Sequence, residues 1–167
     1  MDGALAAQVS FPPHHSPVEN VTRVAGDDFA DFSQTRFPRV DFGDKAQLQR
    51  ANLTGADLVF ASLWQADLSE AKLRGSCLTF ANLTEVNLRN ADLSGADFYN
   101  AQMSRADLTG ADLRGADLRN IFGMTPDQIR AVAVTDKDTE FGDVERRDPN
   151  FCGPNASLGV ELHPFPQ

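Results

Sequence analysis

The sequence predicts an all-β chain coiled into a four-sided β-solenoid with a short α-helix closing its C-terminal end. Three observations predict it. From Ala46 to Asn120 the chain advances in unbroken steps of five residues. Each step carries an apolar centre: Leu48, Leu53, Leu58, Leu63, Leu68, Leu73, Leu78, Leu83, Leu88, Leu93, Phe98, Met103, Leu108, Leu113 and Leu118. Glycine closes a step at Gly55, Gly75, Gly95 and Gly115, twenty residues apart.

A strict short repeat means one small unit stacked on copies of itself. A period of five matches neither a 3.6-residue helix nor a plainly alternating strand. It is also wrong for coiled-coil heptads, and too regularly apolar for a disordered tract. Two residues before each centre stands Ala, replaced only by Ser76 and Val86. Residues two apart share one face of an extended segment. Centre and Ala therefore point inward, and the polar residue between them points outward. The last two residues of each unit are mostly Thr, Ser, Arg, Gly and Asn, which suit a corner. The twenty-residue glycine column implies four corners per coil, with one column needing a positive φ. Gly110 falls outside that column.

The repeated Ala-(Asp/Asn)-Leu-x-x motif over Ala46–Asn120 resembles the pentapeptide-repeat family. The resemblance implies a right-handed, four-sided (quadrilateral) β-helix. Handedness comes from the resemblance alone.

The predicted division is an irregular N-terminal arm over 1–29, the solenoid over 30–120, a capping helix within 121–135 and an irregular tail over 136–167. The arm has no basic start and no long apolar run, so neither a signal peptide nor a membrane span is expected. His14 and His15 lack partners at metal-ligand spacing. Phe29 and the residues before it are expected to fold over the first coil.

The first coil uses Phe centres: Phe32, Phe37 and Phe42. They sit one residue out of phase with Leu48, so an extra residue, assigned to Lys45, should bulge a corner. Eighteen units make about 4.5 coils, roughly 22 Å of solenoid at a strand spacing of about 4.8 Å.

At the other end, Thr125 suits an N-cap, Pro126 the first helical position and Gln128 a capping box. A helix over 125–134 should lay Ile129 and Val132 on the last coil as a plug. The same two residues are the candidate dimer contact.

Nothing in the chain reads as an active site. No phosphate loop, nucleophile–base arrangement or carboxylate pair is present, and a filled solenoid has no cleft. No enzyme activity, cofactor or metal site is expected. The outward Asp and Asn residues, among them Asp57, Asp97 and Asp117, read as solvated. Cys77 and Cys152 read as reduced thiols, consistent with a cytoplasmic protein, while a lumen or periplasm would follow from a removed leader.

Net charge is −9, but residues 30–120 carry twelve acids and ten bases, a net of −2. With a sequence pI of about 4.6, direct nucleic-acid binding is not expected. The leading reading is a rigid protein-interaction or structural module, with an unidentified protein partner or self-association and no membrane contact. The family resemblance adds two alternatives. One is a DNA mimic that occupies the DNA site of a type II topoisomerase such as gyrase. The other is a lumenal or periplasmic structural protein of a photosynthetic organism. A mimic needs acids along the rod, since DNA presents about one charge per 1.7 Å; this rod is nearly neutral. The candidate binding patch is Val59, Phe60, Trp64, Phe80 and Tyr99, apolar residues at outward positions that gather near one corner.

Overall fold

The computed structural model describes residues 30–42 and 45–143. The N-terminal arm, His14, His15, Phe29, Cys152 and the Pro-rich end of the tail lie outside the described residues.

The chain winds into stacked coils held by parallel β-bridges. Gln47 pairs with Asp67, Asp67 with Asn87 and Asn87 with Asp107, each step being twenty residues. Three further columns of bridges run beside this one, so each coil has four sides. Sides I to IV are named by their central residues: Leu48, Leu68, Leu88 and Leu108 on I; Leu53, Leu73, Leu93 and Leu113 on II; Leu58, Leu78, Phe98 and Leu118 on III; Leu63, Leu83 and Met103 on IV. No side is long enough to form a continuous strand, because a corner follows every bridge.

Backbone amides are satisfied from coil to coil. On side I, Leu48 N–H donates to Asp67 C=O at 2.8 Å, and Asp67 N–H returns to Ala46 C=O at 2.9 Å. Arg50 N–H donates to Ser69 C=O at 2.9 Å. This pattern repeats around the coil, so the ladder extends without limit in the stacking direction and leaves edges only at the ends. The centres are fully buried, with Leu53, Leu58, Leu63, Leu68, Leu73, Leu83 and Leu88 at 0% exposure. The Ala two residues earlier is buried with them, because two large side chains would not fit inside one side.

The corners correct the glycine argument. Every described corner residue from Gln34 to Asn120 has positive φ, not one column alone. Arg50, Phe60, Glu70 and Phe80 all sit at φ 58°, in the same region as Gly55 at 64°. A turn bond such as Ala51 N–H to Leu48 C=O, 3.1 Å, closes most corners. Hydrogen bonds to the adjacent coils hold these residues in the left-handed region that L-residues otherwise avoid.

A second correction concerns the outward Asp and Asn residues. They are half-buried and structural rather than simply solvated. Asp107 Oδ1 accepts from Thr109 N–H at 3.0 Å, Asn52 Oδ1 from Thr54 N–H at 3.2 Å and Asp97 Oδ1 from Tyr99 N–H at 3.0 Å. Each is an Asx turn that satisfies the one amide the ladder leaves over.

The first coil is paired at 21 residues, Asp31 with Asn52 and Asp41 with Ser62, and the interval drops to twenty from Gln47. Lys45 is nevertheless a regular corner: its φ is 58° and its N–H donates to Trp64 C=O at 3.4 Å. Lys45 itself therefore carries no bulge; residues 43 and 44 lie outside the described residues. Phe32, Phe37 and Phe42 meet edge to face inside this coil, with neighbouring centroids 5.5 Å apart.

The helix is α1 (Pro126–Arg130). Thr125 Oγ1 accepts from Gln128 N–H, and Gln128 Oε1 accepts from Thr125 N–H, a complete capping box. Ile129 is 0% exposed, but Val132 is 41% exposed and does not plug the coil. The ladder explains the short helix. Val132 C=O accepts from Gly110 N–H at 2.8 Å, and Val134 bridges Asp112. These bonds pull the chain back into the coil before a second full turn can form. Glu140 then bridges Asp117, so pairing continues beyond residue 136, where the sequence reading places an irregular tail. Side I is the side without a bridge in this last partial coil, and α1 falls there in the chain.

Candidate functional site

The residues singled out as a binding patch lie on sides III and IV. The corner column of side III reads Arg39, Phe60, Phe80, Asn100, one residue per coil. Left-handed corners throw these side chains outward, and coil spacing puts them in van der Waals reach of each other. The Phe60 and Phe80 rings are stacked, centroids 4.8 Å apart and planes 9° from parallel. Phe80 meets Tyr99 edge to face at 6.2 Å. The Arg39 guanidinium lies over the Phe60 ring, 5.1 Å from its centroid.

Exposure is uneven within the group. Phe60 is 44% exposed and Trp64, on side IV, is 37% exposed. Val59 and Phe80 are half-buried. Tyr99 is buried, at 3%. Ring contacts thus join Phe60, Phe80 and Tyr99 into one ladder, and only its Phe60 end is open.

The burial of Tyr99 belongs to a wider pattern. Among described residues that flank a centre on the outside, three alone are buried: Cys77 at 0%, Thr79 at 3% and Tyr99 at 3%. All three are on side III, in two successive coils. Cys77 Sγ lies 3.5 Å from Thr79 Oγ1. Cys77 is disulfide-bonded, which overturns the expectation of reduced cysteines. The chain has two cysteines, and the other, Cys152, lies outside the described residues.

Around the rest of the coil many of the charged groups are engaged. Arg89 pairs with Asp107 at 3.1 Å, Arg50 with Glu70 at 2.7 Å and Arg105 with Glu85 at 3.0 Å. Arg119 bridges Asp117 at 2.6 Å and Glu140 at 3.0 Å. Asp107 is held below the usual carboxylate range by its hydrogen bonds from Thr109, and Asp112 by its hydrogen bond from Arg114. Arg119 is driven further into its charged form by the Asp117 carboxylate.

At the C-terminal end, Ile129 fills the coil mouth while Val132 and Val134, at 50% exposure, face out. The Arg130 guanidinium lies 4.4 Å over the Phe141 ring, joining α1 to the last paired segment. A shallow groove lies between Arg105–Thr109 and α1, floored by Leu108 and Met124. Among the described residues no helix is long and apolar enough to cross a membrane.

Residues 46–79 and 81–120 match the family model of pentapeptide repeats, in eight copies. Solved structures with similarity include alr5209, a pentapeptide repeat protein of Nostoc PCC 7120. It is 35% identical, with 71% of this chain and 77% of that chain covered and a TM-score of 0.44. A pentapeptide repeat protein of the Arabidopsis thaliana thylakoid lumen is 36% identical, covering 63% and 74%, with a TM-score of 0.41. Rfr23 of the cyanobacterium Cyanothece 51142 is 29% identical, covering 66% and 87%, with a TM-score of 0.43. No curated protein matches.

Proposed function

Since the chain belongs to the pentapeptide-repeat family, a β-helix solenoid repeat family, we propose that it is a right-handed quadrilateral coil acting as a rigid, non-enzymatic protein-interaction module. The observation that carries this reading is the open end of the aromatic ladder. Phe60 stands 44% exposed on a backbone pinned from both neighbouring coils, with Phe80 stacked behind it. Aromatic side chains fixed in this way lose little entropy on binding, and exposed aromatics of this kind anchor protein contacts.

Val59, Phe60, Trp64 and the Phe80 edge form the proposed contact surface. Tyr99 supports it from below rather than touching the partner. Ile129 serves the cap; Val132 and Val134 offer a second, smaller apolar surface for contact between copies. No cofactor enters this role.

The ion pairs weigh against DNA mimicry. A mimic of the duplex needs carboxylates free to face a basic groove, whereas Asp107, Asp112 and Asp117 are each engaged by arginine. The compartment we infer follows from Cys77. A disulfide persists where thiols are not kept reduced, which favours a lumen, a periplasm or the cell exterior over the cytoplasm.

The test is the double substitution Phe60→Ser with Phe80→Ser in the full chain, assayed by cross-linking capture and by sedimentation. Loss of partner capture or self-association, with the melting temperature lowered by only a few degrees, supports the reading. Unchanged association with a large loss of stability refutes it.

A further inference from the structure

The backbone ladder of side I stops one layer short of its neighbours, because α1 stands in the chain where the next bridging segment would fall. Among the described residues, three backbone groups on this last edge have no partner: Arg105 N–H, Ala106 C=O and Leu108 N–H. We propose that this edge docks an extended segment of a partner protein, which adds itself as the missing side I strand.

One coil earlier, the equivalent groups show what the edge requires. Glu85 N–H donates to Ser104 C=O at 2.9 Å, Val86 C=O accepts from Asp107 N–H at 2.9 Å, and Leu88 N–H donates to Asp107 C=O at 2.8 Å. A docked strand therefore runs parallel to side I, and one of its residues both donates to Ala106 and accepts from Leu108. Leu108 is 1% exposed and Ala106 9%, and backbone groups at such sites are costly to leave unpaired. The groove between this edge and α1 has a volume of about 550 Å³. That is within the ~300–1,000 Å³ of ordinary ligand sites. Leu108 and Met124 floor it, with Ala131 and Val132 on the α1 wall. The strand residues on either side of the bridging one face inward, onto this apolar floor, and must be small and apolar themselves.

Charge fixes how the strand enters. Gln65, Glu85 and Arg105 form one corner column: Gln65 Nε2 donates to Glu85 at 2.6 Å, and Arg105 pairs with Glu85 at 3.0 Å. The Arg105 side chain is still 78% exposed. The next position of this column belongs to the docked strand, two residues before the bridging one. An acidic side chain there continues the alternation of charge. The partner segment is thus extended and reads acidic, small, any residue, small apolar. The site is separate from the aromatic ladder of side III, and the two stand or fall independently.

The test uses the isotope-labelled full chain and the end-blocked peptide Ser-Glu-Ala-Asn-Val-Ser. In the free protein the Arg105 and Leu108 amides should exchange rapidly. Peptide at about ten times its Kd should slow both by about tenfold. N-methylation of the peptide Asn removes the donor to Ala106 and should weaken binding by about tenfold. N-methylation of the following Val, whose N–H points away from the edge, should leave binding unchanged. Arg105→Glu should weaken binding by about threefold and regain it with Lys in place of the peptide Glu, with Trp64 fluorescence reporting an intact coil. Amides already protected in the free chain would mean that the edge is filled, and would overturn the proposal. So would Leu108 resonances unmoved by peptide up to about 1 mM, or binding indifferent to Asn methylation.

Discussion

Phe60 and Phe80 lie ring on ring, 4.8 Å apart and 9° from parallel, although twenty residues separate them in the chain. Coil spacing imposes this distance, so the pair is stacked before any partner arrives. Such a pair contributes about 0.5–1.5 kcal/mol beyond its buried area. A double-mutant cycle with Phe60→Ala and Phe80→Ala should return a coupling of that size in thermal or urea unfolding. A coupling near zero would mean that the rings are merely adjacent.

Leu88 is fully buried at the centre of side I, between Leu68 and Leu108. Leu88→Ala opens a cavity in a layer whose backbone is fixed by the coils on both sides. It should cost about 2–5 kcal/mol, measured by urea denaturation. A loss well under 1 kcal/mol would show that the coil can collapse around the gap.

Asp107 ties Thr109 by its Oδ1, which accepts from both the amide and the hydroxyl. Asp107→Ala should cost about 0.5–1.5 kcal/mol. Asp107→Asn should cost less, because Asn82 and Asn87 already perform the amide contact elsewhere in the solenoid.

The same turns set the acid response. Asp31, Asp107, Asp112 and Asp136 are all held below the ordinary carboxylate value of 3.8 by hydrogen bonds in the folded state. A carboxylate lowered by folding stabilises the fold above its unfolded pKa, and that stabilisation disappears as pH falls through the folded value. Stability should therefore be level near neutral pH and decline below about pH 4. Asp107→Asn should shallow the decline in pH-dependent melting; an unchanged slope would remove Asp107 from the explanation.

Glycines at positive φ should differ among themselves. At Gly95 an added Cβ meets nothing, so Gly95→Ala pays only for the left-handed backbone, about 1–2 kcal/mol. At Gly123 the Cβ would fall on the Ser104 backbone as well, so Gly123→Ala should be the more damaging of the two in thermal unfolding. Equal losses would mean that the α1 end of the coil yields.

The sequence by itself determined the unit, the four-sided coil and the inward residues. Ala, the centre and the twenty-residue interval are local and periodic, and a periodic chain can bury such a pattern in few ways. It also placed Thr125, Pro126 and Gln128 at the helix start, because capping is a contact between near neighbours. The extent of the helix was decided elsewhere: Val132 faces out since its carbonyl serves Gly110 and its neighbour Val134 pairs with Asp112. The candidate site was legible as a set of outward aromatics, but their exposure was not. Val59 and Tyr99 each stand one residue after a side III centre, yet Val59 is half-buried and Tyr99 is shut. Periodicity assigns inside and outside relative to the coil alone; what lies against the outer face, and the disulfide at Cys77, are contacts between distant segments that only the tertiary structure decides.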